Sequence, residues 1–382
     1  MKISIVIPAL NEEEAIGNTI KSIPLEELKK NGLETEIIVV DNGSEDNTAE
    51  IARNSGATVI YEPNKGYGNA YLKGFKEATG EIIVIGDADG TYPFEIIPEF
   101  IRPILDNEAE FVIGSRLRGK IQDGAMNWLH RYIGNPLLTG TLNILFHTRI
   151  SDTHCGMRAF TKNALDKMNL KTPGMEFASE MVIEAARKEL KIKEIPIKYR
   201  KRYGGKPKLS SFEDGWRHLR FMMLYSPTIL FLIPGFLLFF SGLFLILLLL
   251  AGPIKLIGNL GLDIHPMILG NFLVILGFQV IILGIYTKVF SIVRGIIKPG
   301  RFMSFFLKYN SLEIEMLIGL FIFIIGLIAA TRIIYNWITT GFGPLSELRT
   351  AILASTLMFL GIQIIFSALF LSVLLLERKD LG

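Results

Sequence analysis

The sequence predicts an α/β domain built on a mostly parallel sheet, followed by four membrane-spanning helices. Two observations support this division. Most charged residues of the 382-residue chain lie before about position 225, whereas Leu, Ile and Phe dominate the remainder. Within the first part, short apolar runs alternate with helix-like segments, which is the pattern of a parallel sheet covered by helices. The chain is therefore expected to have a polar domain and a membrane domain.

Five strands are predicted in the polar part, at Ile3–Ile7, Glu36–Val40, Thr58–Tyr61, Glu81–Ile85 and Glu110–Gly114. Helix-like segments lie between or after them, at 12–30, 46–54, 67–79 and 94–106. Because parallel strands end at the same edge of a sheet, the polar residues that follow them are expected to share one crevice.

The fourth predicted strand ends in two carboxylates, Asp87 and Asp89. An unpaired carboxylate at the end of a buried strand is costly, so a partner is expected. Oxygen ligands of this kind suit Mg²⁺ or Mn²⁺ holding a diphosphate. Asp41 ends the second strand in the same way, and acids that face one crevice repel each other unless they bind donors or a cation. A solvated Asp-x-Asp turn is the simpler alternative.

Other strand ends carry residues that suit either a ligand or a turn. Asn11 follows the first strand, and Gly43-Ser44 follows the second, where helix capping is the alternative role. Lys65 precedes a glycine-containing loop and a helix start, which would attract an anionic group. A flexible surface loop is the alternative for that segment.

Four apolar segments are long enough to cross a bilayer, near 227–251, 267–291, 314–338 and 350–376. Basic residues cluster before the first segment, between the second and third, and after the fourth; they include Lys206, Lys208, Arg294, Lys298, Arg301, Lys308, Arg378 and Lys379. The opposite loops hold Lys255 and Arg349. The positive-inside rule then predicts a multi-pass protein of the cell membrane, with the polar α/β domain and both termini cytoplasmic.

Two further segments, 125–147 and 212–225, carry apolar residues at helical spacing together with Trp and basic residues. This pattern predicts helices that lie in the membrane interface, and packing against the domain's own core is the alternative. The predicted domains are 1–210 (the cytoplasmic α/β domain), 211–226 (juxtamembrane) and 227–382 (transmembrane). A net charge of +3 is too small to indicate a nucleic-acid partner.

Several motifs occur in the order found in one enzyme family: Ile5–Glu12, Val39–Ser44, Gly86–Asp89, Gly114–Arg116, Ser151–Arg158 and Arg202–Lys208. Together they resemble the GT-A glycosyltransferases of family 2 over about residues 1–225. Within that family they resemble the polyprenyl-phosphate glycosyltransferases, which include the dolichyl-phosphate mannose synthases.

The resemblance implies a Rossmann-like, mixed but mostly parallel sheet. It also implies metal-dependent, inverting transfer of a hexose from GDP-mannose or UDP-glucose to a polyprenyl (dolichyl) monophosphate. The sequence departs from the mannose synthases at Gly90-Thr91, where Leu-Gln is usual, and at Pro207, where serine is usual. The first departure leaves open whether Thr91 or water completes the metal site, and which sugar is used.

Residue by residue, the resemblance and the chemistry above imply a donor-binding set of Pro8, Leu10, Asn11, Glu12, Val40, Asp41, Gly43, Ser44, Lys65, Asp87, Ala88, Asp89, Arg202 and Lys208. The predicted metal ligands are Asp87, Asp89 and Thr91. Arg202 and Lys208 are expected to close over the diphosphate, although attraction of anionic lipid is a compatible alternative.

Arg116 and Arg131 are the predicted ligands of the acceptor phosphate, because a guanidinium group matches phosphate oxygens. With Asp89 and Asp152 they form the predicted catalytic set. Asp152 is assigned a positioning or sugar-contacting role, because an acceptor phosphate is already ionised and needs little help from a general base.

Two other functions are open. A processive polysaccharide synthase of the same superfamily usually carries Gln-x-x-Arg-Trp, which none of the glutamines at 122, 279 and 363 begins. A membrane transporter or flippase with a non-catalytic transferase domain would have no need of the intact Asp87 and Asp89. Association into a homo-oligomer is compatible with any of these functions.

Overall fold

The computed structural model describes residues 1–204, 211–255, 261–293, 303, 311–343 and 347–376. The chain divides into two compact units, Met1–Met223 and Leu224–Gly382. Lys208 of the donor-binding set and most of the basic residues used to predict orientation lie outside the described residues, namely Lys206, Arg294, Lys298, Arg301, Lys308, Arg378 and Lys379.

The first unit contains a seven-stranded sheet of order β3-β2-β1-β4-β6-β5-β7, in which β6 alone is antiparallel to the others. The strands are β1 Lys2–Ala9, β2 Glu34–Asp41, β3 Thr58–Tyr61, β4 Ile82–Ile85, β5 Phe111–Ile121, β6 Arg158–Thr161 and β7 Ile192–Tyr199. The prediction of a mostly parallel α/β sheet is confirmed. The five predicted strands correspond to β1–β5.

The strands β6 and β7 were not predicted. β6 has four residues and begins with Arg158, so it carries little apolar pattern. β7 contains Pro196, which lacks the N–H that an interior strand must donate. It is tolerated because β7 forms the edge of the sheet.

Residues 148–151, directly before Asp152, form no strand. The side chain of Asn143 organises them instead. Its Nδ2 donates to the Ile150 carbonyl at 2.8 Å, and its Oδ1 accepts from the Ile150 amide and the Thr148 hydroxyl. These bonds replace the ladder bonds that a strand would make, so the segment is a side-chain-stabilised turn.

The helices of this unit are α1 Ile16–Lys21, α2 Leu25–Lys30, α3 Thr48–Asn54, α4 Tyr67–Glu77, α5 Ile97–Phe100, α6 Arg102–Leu105, α7 Asn135–Phe146, α8 Lys162–Met168, α9 Phe177–Arg187 and α10 Ser211–Leu224. Two predicted helices are broken at prolines, which cannot donate within a helix. Pro24 separates α1 from α2, and Pro98 and Pro103 lie in the first turns of α5 and α6.

The core of the first unit lies on both faces of the central strands. All four residues of β4 are buried, as are Ile3–Ile7 of β1. Helix α4 approaches β1 closely, since a Cβ on Gly74 would lie 2.4 Å from Val6 Cγ1. The ladder in which Val6 of β1 pairs with Ile85 of β4 fixes the ends of these two strands relative to each other, and both ends carry predicted site residues.

Among its described residues, the second unit contains four long apolar helices: α11 Ile233–Leu250, α12 Ile264–Val293, α13 Ser311–Thr339 and α14 Leu348–Leu376. A π-helical turn, Thr228–Leu232, precedes α11, and a short hairpin pairs Ile254–Lys255 (β8) with Gly261–Leu262 (β9). All four helices are long and apolar enough to cross a membrane, as predicted.

Glycines set the contacts between these helices. A Cβ on Gly277 of α12 would lie 2.3 Å from the Phe239 amide nitrogen of α11, and one on Gly361 of α14 would lie 2.6 Å from the Gly319 carbonyl oxygen of α13. Small residues of this kind allow membrane helices to pack backbone against backbone.

Candidate active site

The end of β4 places Asp87 and Asp89 one residue apart, beside the end of β1. The Tyr67 hydroxyl donates to Asp87 Oδ1 at 3.0 Å. Burial, and next the negative charge of Asp89, raise the pKa of Asp87 to about 7. The two carboxylates are therefore short of positive charge, and a cation bound between them would be stabilised.

Arg202 supplies positive charge to Asp89 but forms no ion pair with Asp87. Its Nη1 lies 3.4 Å from Asp89 Oδ2, and its Nη2 forms an ion pair with Glu12. Glu12 is 9% exposed, and the Arg202 side chain 20%. One guanidinium group thus joins the loop after β1 to the end of β4, and it unites three residues of the predicted site.

Gly90 determines the backbone conformation of the segment that follows β4. Its φ of +76° is a left-handed conformation that favours glycine, and a Cβ there would lie 2.1 Å from the Tyr203 ring. The Tyr203 amide donates to the Asp89 carbonyl at 3.1 Å, and the Arg200 amide donates to the Thr91 carbonyl at 3.0 Å. Residues 200–203 therefore run alongside 89–91, so the departure from the mannose-synthase motif at position 90 makes room for Tyr203.

The residues present fit a divalent cation as a partial ligand set. Within the described residues, no three His, Cys, Asp or Glu side chains are grouped as a metal site. Asp87 and Asp89 offer two carboxylates, and Mg²⁺ commonly takes one or two carboxylates plus substrate phosphates and water. The Thr91 hydroxyl donates to Asp89 Oδ1 at 2.6 Å, so it supports that carboxylate.

The ends of β1 and β2 are joined by hydrogen bonds. The Asn11 amide donates to Ser44 Oγ at 3.0 Å, and the Glu45 amide donates to Asn11 Oδ1 at 2.8 Å. The Ser44 amide in turn donates to Asp41 Oδ1 at 2.9 Å. A positive φ at both Asn11 (+50°) and Gly43 (+87°) turns the two loops toward each other. The ends of β1 and β2 are therefore held next to each other, as the predicted crevice requires.

The remaining described residues of the donor-binding set lie at or next to the same strand ends: Pro8, Leu10, Val40, Ala88 and Lys65. Pro8 pairs with Val40 in the β1–β2 ladder. Lys65 is exposed, and its Cε lies 3.6 Å from the position of a Cβ on Gly43. An ammonium group is therefore carried close to the loop after β2.

Arg116 and Asp152 form a buried bidentate ion pair. Arg116 Nε lies 2.7 Å from Asp152 Oδ2, and Nη2 lies 2.8 Å from Oδ1. The Arg116 amide also donates to Oδ2 at 3.0 Å, and the guanidinium lies 5.2 Å above the Tyr199 ring. Both oxygens of Asp152 are engaged, so this carboxylate orients Arg116.

Comparison with known proteins identifies the family. The profile described as glycosyl transferase family 2 matches residues 4–168, and that of the glycosyltransferase family 2 C-terminal transmembrane region matches residues 285–375. The chain is 40% identical over 375 residues to the low-salt glycan biosynthesis hexosyltransferase Agl6 of Haloferax volcanii, covering 97% of this chain and 89% of the relative. The chain belongs to glycosyltransferase family 2.

Other relatives match the first unit. Identity is 32% over 213 residues with the dolichyl-phosphate hexose transferase of H. volcanii (56% of this chain, 89% of the relative). It is 32% over 219 residues with the UDP-N-acetylglucosamine–dolichyl-phosphate N-acetylglucosaminyltransferase of Methanococcus voltae (51% and 84%). The crystal structure of glucosyl-3-phosphoglycerate synthase from Mycobacterium tuberculosis with Mn²⁺, UDP and glucosyl-3-phosphoglycerate has a TM-score of 0.46 at 24% identity, covering 58% of this chain and 78% of that one.

The family assignment confirms the predicted glycosyltransferase activity and, with the observed sheet, the predicted GT-A fold. The transmembrane match and the four apolar helices make this glycosyltransferase a membrane protein. The roles of its individual site residues stay predictions.

In this glycosyltransferase, Arg131 lies in a π-helical turn, His130–Gly134, directly before α7. Its guanidinium lies 5.2 Å from the centre of the Tyr132 ring, and its amide donates to the Asn127 carbonyl. These contacts are local, so its predicted role beside Arg116 stays a prediction.

Three residues that contact the candidate site were not predicted from the sequence. Tyr67 donates to Asp87, and Tyr92 accepts from the Gly156 amide at 2.7 Å. Arg158, 1% exposed, donates to the carbonyls of Cys155 and Thr153 and so holds the loop that follows Asp152. The position of Tyr67 between two glycines was the one sequence signal that could have indicated its role. The pairing of Arg158 with backbone carbonyls leaves no signal in the sequence.

Proposed function

We propose that this glycosyltransferase moves a hexose from a nucleotide diphosphate sugar to a polyprenyl monophosphate at the cytoplasmic face of the membrane, with inversion at the anomeric carbon. The observation that carries the proposal is the pair Asp87 and Asp89 at the end of β4, with Arg202 balancing Asp89. The names of the relatives support the acceptor class, since two of them are dolichyl-phosphate transferases.

The donor is bound at the ends of β1, β2 and β4. Asp87 and Asp89 would hold Mg²⁺ or Mn²⁺, which supplies charge neutralisation to the leaving nucleotide diphosphate. Glu12 and Asp41 offer carboxylate oxygens, which are suited to accept hydrogen bonds from ribose hydroxyls. Arg202 is already beside Asp89, so a short movement of its guanidinium would let it bind a diphosphate held there. Lys208 is the second predicted cation.

The acceptor supplies its own nucleophile. A phosphate oxygen is ionised near neutral pH, so it attacks the anomeric carbon without a general base while the bond from that carbon to the diphosphate oxygen breaks. Arg116 and Arg131 would hold the phosphate in line, and positioning with charge stabilisation provides the acceleration. Asp152 is unsuited to act as a base, because both of its oxygens accept from Arg116.

The lipid reaches the domain along two apolar helix faces. Trp128 and Leu137, in and before α7, are 64% and 63% exposed, and Trp216 of α10 is 54% exposed. Exposed Trp and Leu beside basic residues suit the headgroup region of a bilayer. The functional division at 1–210, 211–226 and 227–382 follows from this arrangement as part of the proposal.

The test is transfer of labelled sugar to lipid. Membranes that contain the protein are incubated with labelled GDP-mannose or UDP-glucose, polyprenyl phosphate and Mg²⁺ or Mn²⁺. We expect one of the two donors to label the lipid fraction, with the label released by mild acid and lost on chelation of the metal. If neither donor labels lipid, the proposal is wrong.

Asp89→Asn separates an enzyme from a transporter with a non-catalytic domain. We expect this variant to lower transfer at least ~100-fold, as for loss of a charged group that stabilises a transition state. Asp106→Asn, on an exposed loop after α6, is the matched control and should retain the wild-type rate. Full transfer by Asp89→Asn would contradict the catalytic role of the β4 end.

Membrane orientation is tested by cysteine labelling. The chain has one cysteine, Cys155, which is fully buried and should react slowly with polar maleimides. Lys198→Cys places a thiol at an exposed position of β7. We expect it to react with an impermeant maleimide only when the cytoplasmic face is accessible. Reaction from the opposite face would overturn the proposed orientation.

A further inference from the structure

A chain of hydrogen bonds joins α7 to α10 through the interior of the first unit. Thr139 Oγ1 of α7 lies 3.1 Å from Thr153 Oγ1, which lies 3.1 Å from His154 Nδ1. His154 Nε2 lies 3.4 Å from Ser179 Oγ of α9, and Ser179 Oγ lies 2.8 Å from His218 Nδ1 of α10. These five side chains, here the polar chain, connect two helices that are far apart in sequence.

Four of the five side chains lie away from solvent. Thr153 and Ser179 are fully buried, and Thr139 and His218 are 4% and 7% exposed. The rings of His154 and His218 meet edge to face, with centroids 4.4 Å apart. Buried polar groups are costly unless they are paired, so each member of the polar chain depends on its neighbours.

Burial keeps the two histidines of the polar chain neutral. Burial, then His218 and the charges of Arg116 and Arg158, hold the pKa of His154 well below its usual range. Burial, then Arg158, lowers the pKa of His218 to about 4. A neutral imidazole has one donor and one acceptor nitrogen, so His154 can pair with Thr153 through one nitrogen and with Ser179 through the other.

The polar chain passes through the loop that carries Asp152. Thr153 and His154 follow Asp152 directly, and Asp152 orients Arg116 by the bidentate pair. The other side of this loop is held by Glu194 of β7, whose Oε1 accepts from the Ser151 amide at 2.7 Å. The carboxylate that orients Arg116 therefore lies between a fixed strand and the two helices.

Both helices also carry exposed apolar side chains. Ile144 of α7 is 68% exposed and Trp216 of α10 is 54% exposed, while Thr139 and His218 of the same helices face inward. A displacement of either helix in the interface would therefore be transmitted to the loop after Asp152.

We propose that Thr139, Ser179 and His218 are positioning residues that couple the membrane-facing helices α7 and α10 to Arg116. This inference rests on the proposed function, in which Arg116 holds the phosphate of a membrane-borne acceptor. The polar chain keeps the Asp152 loop in place when the helices are seated in the interface, so it acts on the acceptor and leaves the donor site at β4 unchanged.

The test separates acceptor from donor kinetics. Ser179→Ala and His218→Phe each break the polar chain while nearly preserving volume. We expect the apparent KM for polyprenyl phosphate in liposomes to rise about tenfold, the equivalent of one lost buried hydrogen bond, with the KM for the nucleotide sugar within about twofold of wild type. His218→Asn, whose amide can replace the Nδ1 hydrogen bond, should restore most of the acceptor KM.

A control lies on the same helix. Thr139→Val removes the hydroxyl that contacts Thr153, whereas Thr141→Val removes one that bonds within α7 to the Leu137 carbonyl. We expect the acceptor KM to rise in the first variant and to stay at the wild-type value in the second.

Three results would overturn the inference. The first is a wild-type acceptor KM in both Ser179→Ala and His218→Phe. The second is an equal loss of donor and acceptor kinetics together with a lower unfolding midpoint and no rescue by His218→Asn, because that pattern describes a structural role alone. The third is a wild-type protein that labels no lipid, which would remove the proposed function and this inference with it.

Discussion

The guanidinium of Arg116 lies against the carboxylate of Asp152, which is fully buried, with both Nε and Nη2 within 2.8 Å of its oxygens. Arg116 is itself 7% exposed and is flanked by the Tyr199 ring. Each charge therefore depends on the other, since a buried ion without a partner is strongly destabilising. The pair gives the arginine one orientation, with Nη1 taking no part in it.

Removing the Asp152 carboxylate should destabilise the first unit and slow transfer. Asp152→Ala leaves a buried guanidinium without charge compensation, so we expect the free energy of unfolding to fall by about 3–5 kcal/mol. Asp152→Asn keeps the shape and one acceptor oxygen, so it should unfold at a higher denaturant concentration than Asp152→Ala. It should still transfer sugar at least ~100-fold more slowly than wild type. Denaturant unfolding and initial rates in detergent measure both effects.

Asp166→Asn on α8 is the matched control for this prediction, because Asp166 is exposed. Its unfolding and transfer rate should equal those of the wild type. A wild-type rate in Asp152→Asn would show that the orientation of Arg116 is unimportant.

Replacing Arg202 should have opposite effects on metal binding and on transfer. Arg202→Gln removes the positive charge that Asp89 and Glu12 share. Mn²⁺ added without nucleotide should then bind about fivefold more tightly, since a partly exposed ion pair contributes up to about 1 kcal/mol. Sugar transfer should fall by at least ~10-fold, because a diphosphate loses a charge-assisted donor. Free Mn²⁺ is measured by electron paramagnetic resonance.

Arg200→Gln tests whether these effects belong to position 202. Arg200 lies two residues before Arg202 in the same segment, and its side chain pairs with Glu95. Its replacement should leave Mn²⁺ affinity at the wild-type value. Equal Mn²⁺ affinity in all three proteins would contradict the shared-charge interpretation.

Acid should destabilise the first unit through His154 and His218. Their folded-state pKa values lie below the usual 6.5, and that of His218 is about 4. As pH falls below about 6.5 the unfolded chain takes up protons first, so the free energy of unfolding decreases until about pH 4, by about 3 kcal/mol for His218.

The measurement compares wild type with His218→Phe at pH 7 and pH 4.5. We expect the variant to lose less stability over this interval, because it lacks one of the groups that titrate. The comparison between variants is needed because Asp87, whose pKa is raised to about 7, contributes with the opposite sign as pH falls. An identical pH dependence in the two proteins would contradict the buried, neutral state of His218.

The contact between α11 and α12 should not tolerate a side chain at Gly277. A Cβ there would lie 2.3 Å from the Phe239 amide nitrogen, so the backbones must separate. We expect Gly277→Ala to lower the free energy of unfolding by about 1–3 kcal/mol and to lower the thermal unfolding midpoint in detergent. Gly140→Ala on α7 is the control, since a Cβ there meets nothing within 4 Å. A wild-type midpoint for Gly277→Ala would contradict the close packing.

Periodicity along the chain was enough to predict β1–β5 and the four membrane helices. Burial of a strand or a span requires apolar residues at consecutive positions, so it leaves a local pattern in the sequence. The acids at the end of β4 were predicted for the same reason, because Asp87 and Asp89 interrupt an apolar run abruptly. Motif order then identified the family, which the comparisons confirmed.

The strands β6 and β7 could not be predicted in this way. β6 is short and lies antiparallel between β4 and β5, a position that depends on the whole sheet. β7 includes Pro196 and exposed lysines, and only its place at the edge makes it compatible with the sheet.

The sequence by itself therefore determined the two-part architecture, the strand ends that carry the candidate site and the family of the enzyme. Only the tertiary structure decided which side chains meet: Arg202 with Glu12 and Asp89, Asp152 with Arg116, and His218 with Ser179 and His154. The physical reason is that an ion pair between residues 190 positions apart, such as Glu12 and Arg202, leaves no periodic pattern in the sequence. Burial of a strand or helix does leave a periodic pattern of apolar residues.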